Sequence, residues 1–218
     1  MHGPATAAAA RLAQAQRARD ALVQGRSVSR HEEQVARLSA LLADSLGLGS
    51  AHVEAIGCAA GLHDVGKLAV PDTVLVKPGP LSAREWRLVR NHAALGGAIL
   101  SGHGQPVLDL AATIARSHHE AFDGTGYPDG LKGEAIPLEA RIVAVADVYD
   151  ALRQDRPYKG RMSHEEAIAV LRDGDGRISP AKFDGGILSA FLRIAPQVER
   201  IWEACAPASQ GSRSASSR

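Results

Sequence analysis

His63 and Asp64 stand side by side in the stretch Gly61-Leu-His-Asp-Val-Gly-Lys67. An imidazole and a carboxylate on adjacent residues can hold one divalent cation, and a carboxylate that uses both oxygens can bridge two. Taken alone, such a pair is more often a capped or solvated helical turn than a ligand pair. It gains weight from His31, His92, the doublet His118-His119 and Asp147, which with it make five imidazoles and two carboxylates. Nitrogen and oxygen donors without thiolate suit hard or borderline ions, and seven of them are enough for two metals. Asp147 sits inside the apolar run Arg141-Ile-Val-Ala-Val-Ala-Asp-Val-Tyr-Asp-Ala-Leu152, where an isolated charge is costly, so it requires a partner. Metal is one candidate; Arg141 or Arg153 is the other. His2, His52, His103 and His164 fall in exposed or irregular contexts and are read as unrelated to this set.

The elements that must position these residues read as helix after helix. Ser27 or Ser29 can cap a helix in which Val35, Leu38, Leu41 and Leu42 follow helical spacing, with His31 one turn before Val35 on the inner side. Leu46-Gly47 closes it. Ser50 opens the next, whose stripe Val53, Ile56, Ala60 and His63 places His63 at its inner, C-terminal end. Pro71, Pro78 and Pro80 predict an extended loop. Ser82 with Glu85 forms a capping-box pattern at the start of a helix expected to carry Trp86, Val89 and His92. Gly96 and Gly97 either end that helix or allow close packing. Val107 to His119 is another apolar segment, followed by a turn-rich loop over 120–137 that needs a reason to be ordered. Ser163 with Glu166 caps a further helix. Asp173 to Ser179 imitates part of a calcium loop, but that alignment puts Leu171 and Lys182 at ligand positions, which argues against calcium.

The chain of 218 residues has 25 Lys and Arg against 24 Asp and Glu. With no excess positive charge, binding of a nucleic acid polymer has no compositional support. Cys58 and Cys205, the two cysteines, form no Cys-x-x-Cys pair, so neither a disulfide framework nor a thiolate zinc site is expected and a reducing cytoplasm fits. No apolar run reaches the roughly 20 residues of a membrane span. Residues 1–25 are Ala-rich with few large apolar side chains and read as a connecting helix from an upstream regulatory domain, with an Arg-rich presequence as the alternative and a homodimer through that helix as a further expectation. Residues 26–207 form the main domain, and the Ser- and Arg-rich 208–218 a disordered tail.

The spacing resembles the His-Asp phosphohydrolases, and within them the HD-GYP cyclic di-GMP phosphodiesterases. The matching pieces are His63-Asp-Val-Gly-Lys67, His92-x-x-x-Gly96, His118-His-Glu-x-x-Asp-Gly-Thr-Gly-Tyr-Pro128, Asp129-Gly-Leu-Lys-Gly133, the Arg141 to Leu152 run and Arg156-Pro-Tyr-Lys159. The resemblance implies an all-α helical bundle with a buried binuclear metal site. It implies that His31, His63, Asp64 and Asp147 hold one metal, and that Asp64 bridges to a second held by His92, His118 and His119. A hydroxide between the ions would be the nucleophile, giving linear pGpG or, further, GMP. Lys67, Arg156 and Lys159 would grip phosphate oxygens. Gly126, Tyr127 and Pro128 would shape the guanine side of the pocket and offer a docking point for diguanylate cyclase domains. Iron or manganese is the implied cofactor, with nickel or zinc as substitutes.

Departures from the pattern are specific. Gln34 stands where these proteins usually have Arg, and an effect on ligand orientation is expected from it. Ser27 replaces the Glu that accompanies a third metal, which points to two. Ala93 and Gly185 replace prolines and read as structural. Two competing readings are a non-catalytic module that binds cyclic di-GMP or a cyclase, and a His-Asp hydrolase acting on another substrate such as 3′,3′-cGAMP.

Overall fold

The computed structural model describes residues 30–154 and 160–204. The expectations for 1–25, Ser27, Ser29, His2, Arg156, Lys159, Cys205 and the tail 208–218 lie outside the described residues. The described residues are helical and contain no strand, as the sequence pattern implied.

Among the described residues ten α-helices follow in order: α1 Arg30–Ser45, α2 Ser50–Ala60, α3 Asp72–Leu75, α4 Ala83–Arg90, α5 His92–Leu100, α6 Pro106–Ser117, α7 Leu138–Arg153, α8 His164–Asp173, α9 Gly185–Arg193 and α10 Ala195–Ala204. Short 3-10 turns occupy Val65–Ala69, Gly133–Ala135 and Pro180–Lys182. Helix α1 buries Gln34, Val35, Leu38, Ser39, Leu42 and Ala43, the three-and-four spacing of one helical face. That face packs on α2, α7 and α10, while α2 packs on α6 and α6 on α5. Helix α7 is the axis of the core. Ile142, Val143, Val145, Ala146 and Tyr149 are fully buried along it, and Tyr149 meets Phe191 of α9 edge-on at 5.3 Å.

Local details differ from the sequence reading in two places. The proline-rich stretch contains the helical turn α3, because Pro71 at its N-cap has the extended geometry that precedes a helix and the other prolines lie beyond its end. The helix capped by Ser82 and Glu85, whose capping box is present, stops at Arg90, and His92 begins the separate helix α5. Gly96 and Gly97 lie inside α5, where a Cβ would come 3.1 Å from Ala115 and 3.0 Å from Arg116 of α6, so they serve close packing.

The segment after His63-Asp64 is pressed hard against α5. A Cβ on Gly66 would lie 1.9 Å from the carbonyl oxygen of His92, so only glycine lets the 3-10 turn and the start of α5 approach this closely. That approach sets Asp64 beside His92. Among the described residues no helix is long and apolar enough to cross a membrane.

Candidate metal and substrate site

Four ring nitrogens are aimed by hydrogen bonds on the opposite side of each ring. His63 Nδ1 donates to Ala60 O at 2.8 Å, His92 Nδ1 to Val89 O at 2.6 Å, and His118 Nδ1 to Ala115 O at 2.9 Å. All three partners lie three residues back, on the helical turn that leads into the histidine. A carbonyl only accepts, so each Nδ1 holds the proton and the neutral ring keeps its Nε2 lone pair free. His31 follows the same plan with a carboxylate: its Nδ1 lies 2.6 Å from Asp150 Oδ2. Such partners fix the ring orientation of metal-binding histidines.

The Nε2 atoms converge on two carboxylates. Asp64 Oδ1 lies 3.3 Å from His92 Nε2 and 3.8 Å from His118 Nε2, whereas its Oδ2 lies 3.5 Å from His63 Nε2 and 3.8 Å from His31 Nε2. The two oxygens of one side chain thus face two different pairs of imidazoles. Asp147 Oδ1 lies 3.3 Å from His31 Nε2 and 3.8 Å from His63 Nε2. Donors from Asp64, His92, His118 and His119, and again from His31, His63 and Asp64, fall within 4.8 Å of one another. Ligand atoms about 2.1 Å from one ion at tetrahedral angles sit about 3.4 Å apart, so these separations fit metal coordination.

Two observations show that the donor set fits a cation. His63 Nε2 is buried and has no hydrogen-bond partner, and His92 Nε2 lies 3.3 Å from His118 Nε2. Facing lone pairs and an orphaned buried nitrogen call for a positive charge between them.

The electrostatics agree. Burial opposes ionisation of Asp64, but the His92 ring beside it and the charges around it, including Lys67, hold its carboxyl well below the usual range. Burial likewise disfavours the Asp147 carboxylate and is outweighed by His31. Burial pushes His119 down to about 4, and His118 well below its ordinary value, aided by its neighbours His119 and His63. His31 behaves oppositely: burial lowers it, yet hydrogen bonds to Asp147 and Asp150 raise it to about 10.

The sequence alternatives for Asp147 are resolved by what the arginines do. Arg141 Nη1 pairs with Asp184 at 2.6 Å, and the Arg153 guanidinium lies 4.3 Å over the Trp202 ring. Asp147 faces histidines instead. Lys67 pairs with Asp64 Oδ2 and is 43 % exposed, so its ammonium stands between the cluster and solvent. A cleft of about 730 Å³ opens there, lined by His31, Asp64, Lys67, His119 and Asp147 at one end and Asp175, Arg177 and Ile178 at the other; that volume suits a ligand of nucleotide class.

Tyr127 is not on the wall of this cleft. Its ring packs against His119 at 4.8 Å, and Arg90 covers it at 5.1 Å. Gly126 is needed for the loop itself, since a Cβ there would lie 2.2 Å from Ala121 N. The turn-rich loop is ordered by Glu120, buried, whose carboxylate accepts from Asp129 N at 2.7 Å and Leu131 N at 3.0 Å, and by a bidentate pair between Arg116 and Asp129. Glu120 and Asp150 were missed as site residues. The signals were there: Glu120 directly follows the His doublet, and Asp150 lies three residues after Asp147, on the same helical face.

His164 is a correction. It is buried, with its Nδ1 2.9 Å from the Tyr149 hydroxyl, because the first turn of α8 packs on α7. His52 meets Glu139 at 2.9 Å and His103 is exposed; neither approaches the cluster. Gln34 is fully buried and donates to Trp202 O at 3.2 Å, while its amide oxygen has no hydrogen-bond partner. Asp175 Oδ1 accepts from the backbone N–H groups of Arg177 and Ile178, a carboxylate serving its own turn.

The family profile of the HD domain matches residues 15–181. The chain belongs to the HD domain family. Its HD-GYP resemblance stands with that membership. The HD domain is 47% identical over 169 residues to the cyclic di-GMP phosphodiesterase response regulator RpfG of Xanthomonas campestris, covering 78% of this chain and 44% of that protein. It is 41% identical over 152 residues to 3′3′-cGAMP-specific phosphodiesterase 2 of Vibrio cholerae, covering 70% and 29%. The chain thus spans less than half the length of these relatives. Among solved structures, an HDG"Y"P protein of Bdellovibrio bacteriovorus shares the fold with a TM-score of 0.59 at 24% identity, covering 78% of this chain and 53% of that one.

Proposed function

We propose that this HD domain is a phosphodiesterase that hydrolyses cyclic di-GMP to linear pGpG with two divalent metal ions, in bacterial second-messenger signalling. The observation that carries the proposal is Asp64, whose two oxygens face two separate histidine pairs in a buried cluster. In this reading His31, His63, Asp64 and Asp147 hold one ion, and Asp64, His92, His118 and His119 the other. Iron or manganese is the native pair, with nickel or zinc able to substitute. When bound, the ions supply an activated water and neutralise charge on the phosphoryl group.

The chain's own residues do the rest. Lys67 neutralises part of the Asp64 charge and presents its exposed ammonium to a phosphate oxygen at the mouth of the cleft. Arg156 and Lys159 are assigned to the same phosphates on sequence grounds. Asp150 and the backbone carbonyls keep the imidazole protons on the side away from the substrate. Tyr127 backs the His119 ring, Gly126 lets the loop close on Ala121, and the exposed Pro128 side of that loop is where a cyclase domain would dock. The reaction is placed in the cytoplasm, where Cys58 and Cys205 stay reduced. An upstream regulatory domain, joined through 1–25, belongs to the same proposal, since relatives extend well beyond the matched part.

The similarity to a cGAMP-specific enzyme gives a second reading, a preference for 3′,3′-cGAMP. Incubation with each dinucleotide and manganous or ferrous ion, followed by chromatography, separates them. Conversion of cyclic di-GMP to pGpG is expected. Cleavage of 3′,3′-cGAMP with cyclic di-GMP intact would reassign the substrate, and two intact dinucleotides would leave a non-catalytic receptor.

A further inference from the structure

We propose that Trp202 is a positioning residue for His31, acting through Asp150, so that the C-terminal helix α10 helps to build one of the two metal centres. Trp202 lies 171 positions beyond His31 in the sequence and is 3 % exposed. Its indole Nε1–H donates to Asp150 Oδ1 at 2.7 Å. The other oxygen of Asp150 meets His31 Nδ1 at 2.6 Å and also accepts from Gln154. Asp150 is fully buried, and with one oxygen tied to the indole its carboxylate plane is fixed. The second oxygen then sets the tilt of the His31 ring, whose Nε2 faces Asp147 and Asp64.

The tryptophan is itself held on several sides. Gln34, one turn after His31 on α1, donates to its carbonyl oxygen at 3.2 Å. Arg153 lies 4.3 Å over the indole and Arg30 5.2 Å from it. Helix α10 is thereby tied to α1 by its backbone and to α7 by its indole, and both ties end within one turn of His31. His63, His92 and His118 are oriented by carbonyls of their own helical turns; His31 Nδ1 instead meets the Asp150 carboxylate, which α7 supplies and Trp202 holds. Losing a partner of this kind weakens metal binding about 10–100-fold.

The inference rests on the metal-site reading above. Its test is manganous ion affinity, measured by chelator competition on the whole chain, for wild type, Trp202→Phe and Val198→Ala. Phenylalanine keeps an aromatic ring but lacks the donor. Val198→Ala truncates a fully buried side chain of the same helix that makes none of the relay's hydrogen bonds. Trp202→Phe is expected to weaken one of two sites about 10–100-fold and leave the other unchanged, whereas Val198→Ala lowers the Tm with both affinities intact. Wild-type affinity in Trp202→Phe, or an equal loss in Val198→Ala, would overturn the proposal. If Trp202→Phe does not fold, the 15N indole resonance of Trp202 in a Trp86→Phe background decides: zinc ion should shift it, and His31→Ala should abolish the shift. A resonance indifferent to zinc in a protein that binds zinc overturns the relay alone, and a wild-type protein that binds neither ion overturns the metal reading with it.

Discussion

At the scale of single residues, Asp64 and Lys67 have opposite tasks. Asp64 is buried and its two oxygens face two imidazole pairs, so replacing it is expected to remove a ligand from each of the two proposed centres. Lys67 touches the same carboxylate from the solvent side, and its nitrogen is no metal ligand. Lys67→Met should therefore leave metal content unchanged while lowering kcat about 10²–10³-fold, the usual effect of deleting one preorganised donor to a developing negative charge. Metal analysis and turnover on the same preparation check this; loss of metal in step with activity would make Lys67 a support for Asp64 instead. Asp64 and the histidines stand out in the sequence as candidates because metal chemistry restricts residue types sharply, and Lys67 enters through the family resemblance. Glu120 and Asp150 stand out less, since a residue that orients a ligand can be any donor or acceptor of suitable reach.

At the scale of elements, the sequence carried the helices and their caps but not their interruptions. The capping boxes at Ser82 and Ser163 are present as read, because a Ser with Glu three residues on satisfies two backbone N–H groups at once. The break at Asn91 and the turn α3 left no clear mark, since both depend on packing against other helices, and the partnership of Arg141 with Asp184 joins positions 43 apart. That pair has a pH signature. Burial opposes the Asp184 carboxylate, yet Arg141 and the N–H groups of Ile187 and Gly186 lower its pKa on balance. A folded value below the unfolded one of about 3.9 means that its stabilisation is present above that pH and is lost as pH falls through the folded value. Asp184→Asn should cost about 1–3 kcal/mol at neutral pH, and the gap from wild type should narrow in urea titrations repeated near pH 2.5. A gap of equal size at both pH values would contradict the charge-based account.

At the scale of the whole molecule, the bundle brings seven donors from distant parts of the chain to one place. His31 comes from α1, His63 and Asp64 from the turn after α2, His92 from α5, His118 and His119 from the end of α6, and Asp147 from the buried face of α7. No two of these elements could be aligned from sequence alone, since periodicity reports which face is inward and not which helices meet. The central claim is that this convergence holds two metals and that Asp64 joins them. The most direct measurement is metal content per chain on anaerobically purified protein, wild type beside Asp64→Ala. The account predicts about two iron or manganese ions per wild-type chain and loss of both from a folded Asp64→Ala. A single ion in the wild type, or a variant that keeps one ion at full occupancy, would contradict the shared carboxylate.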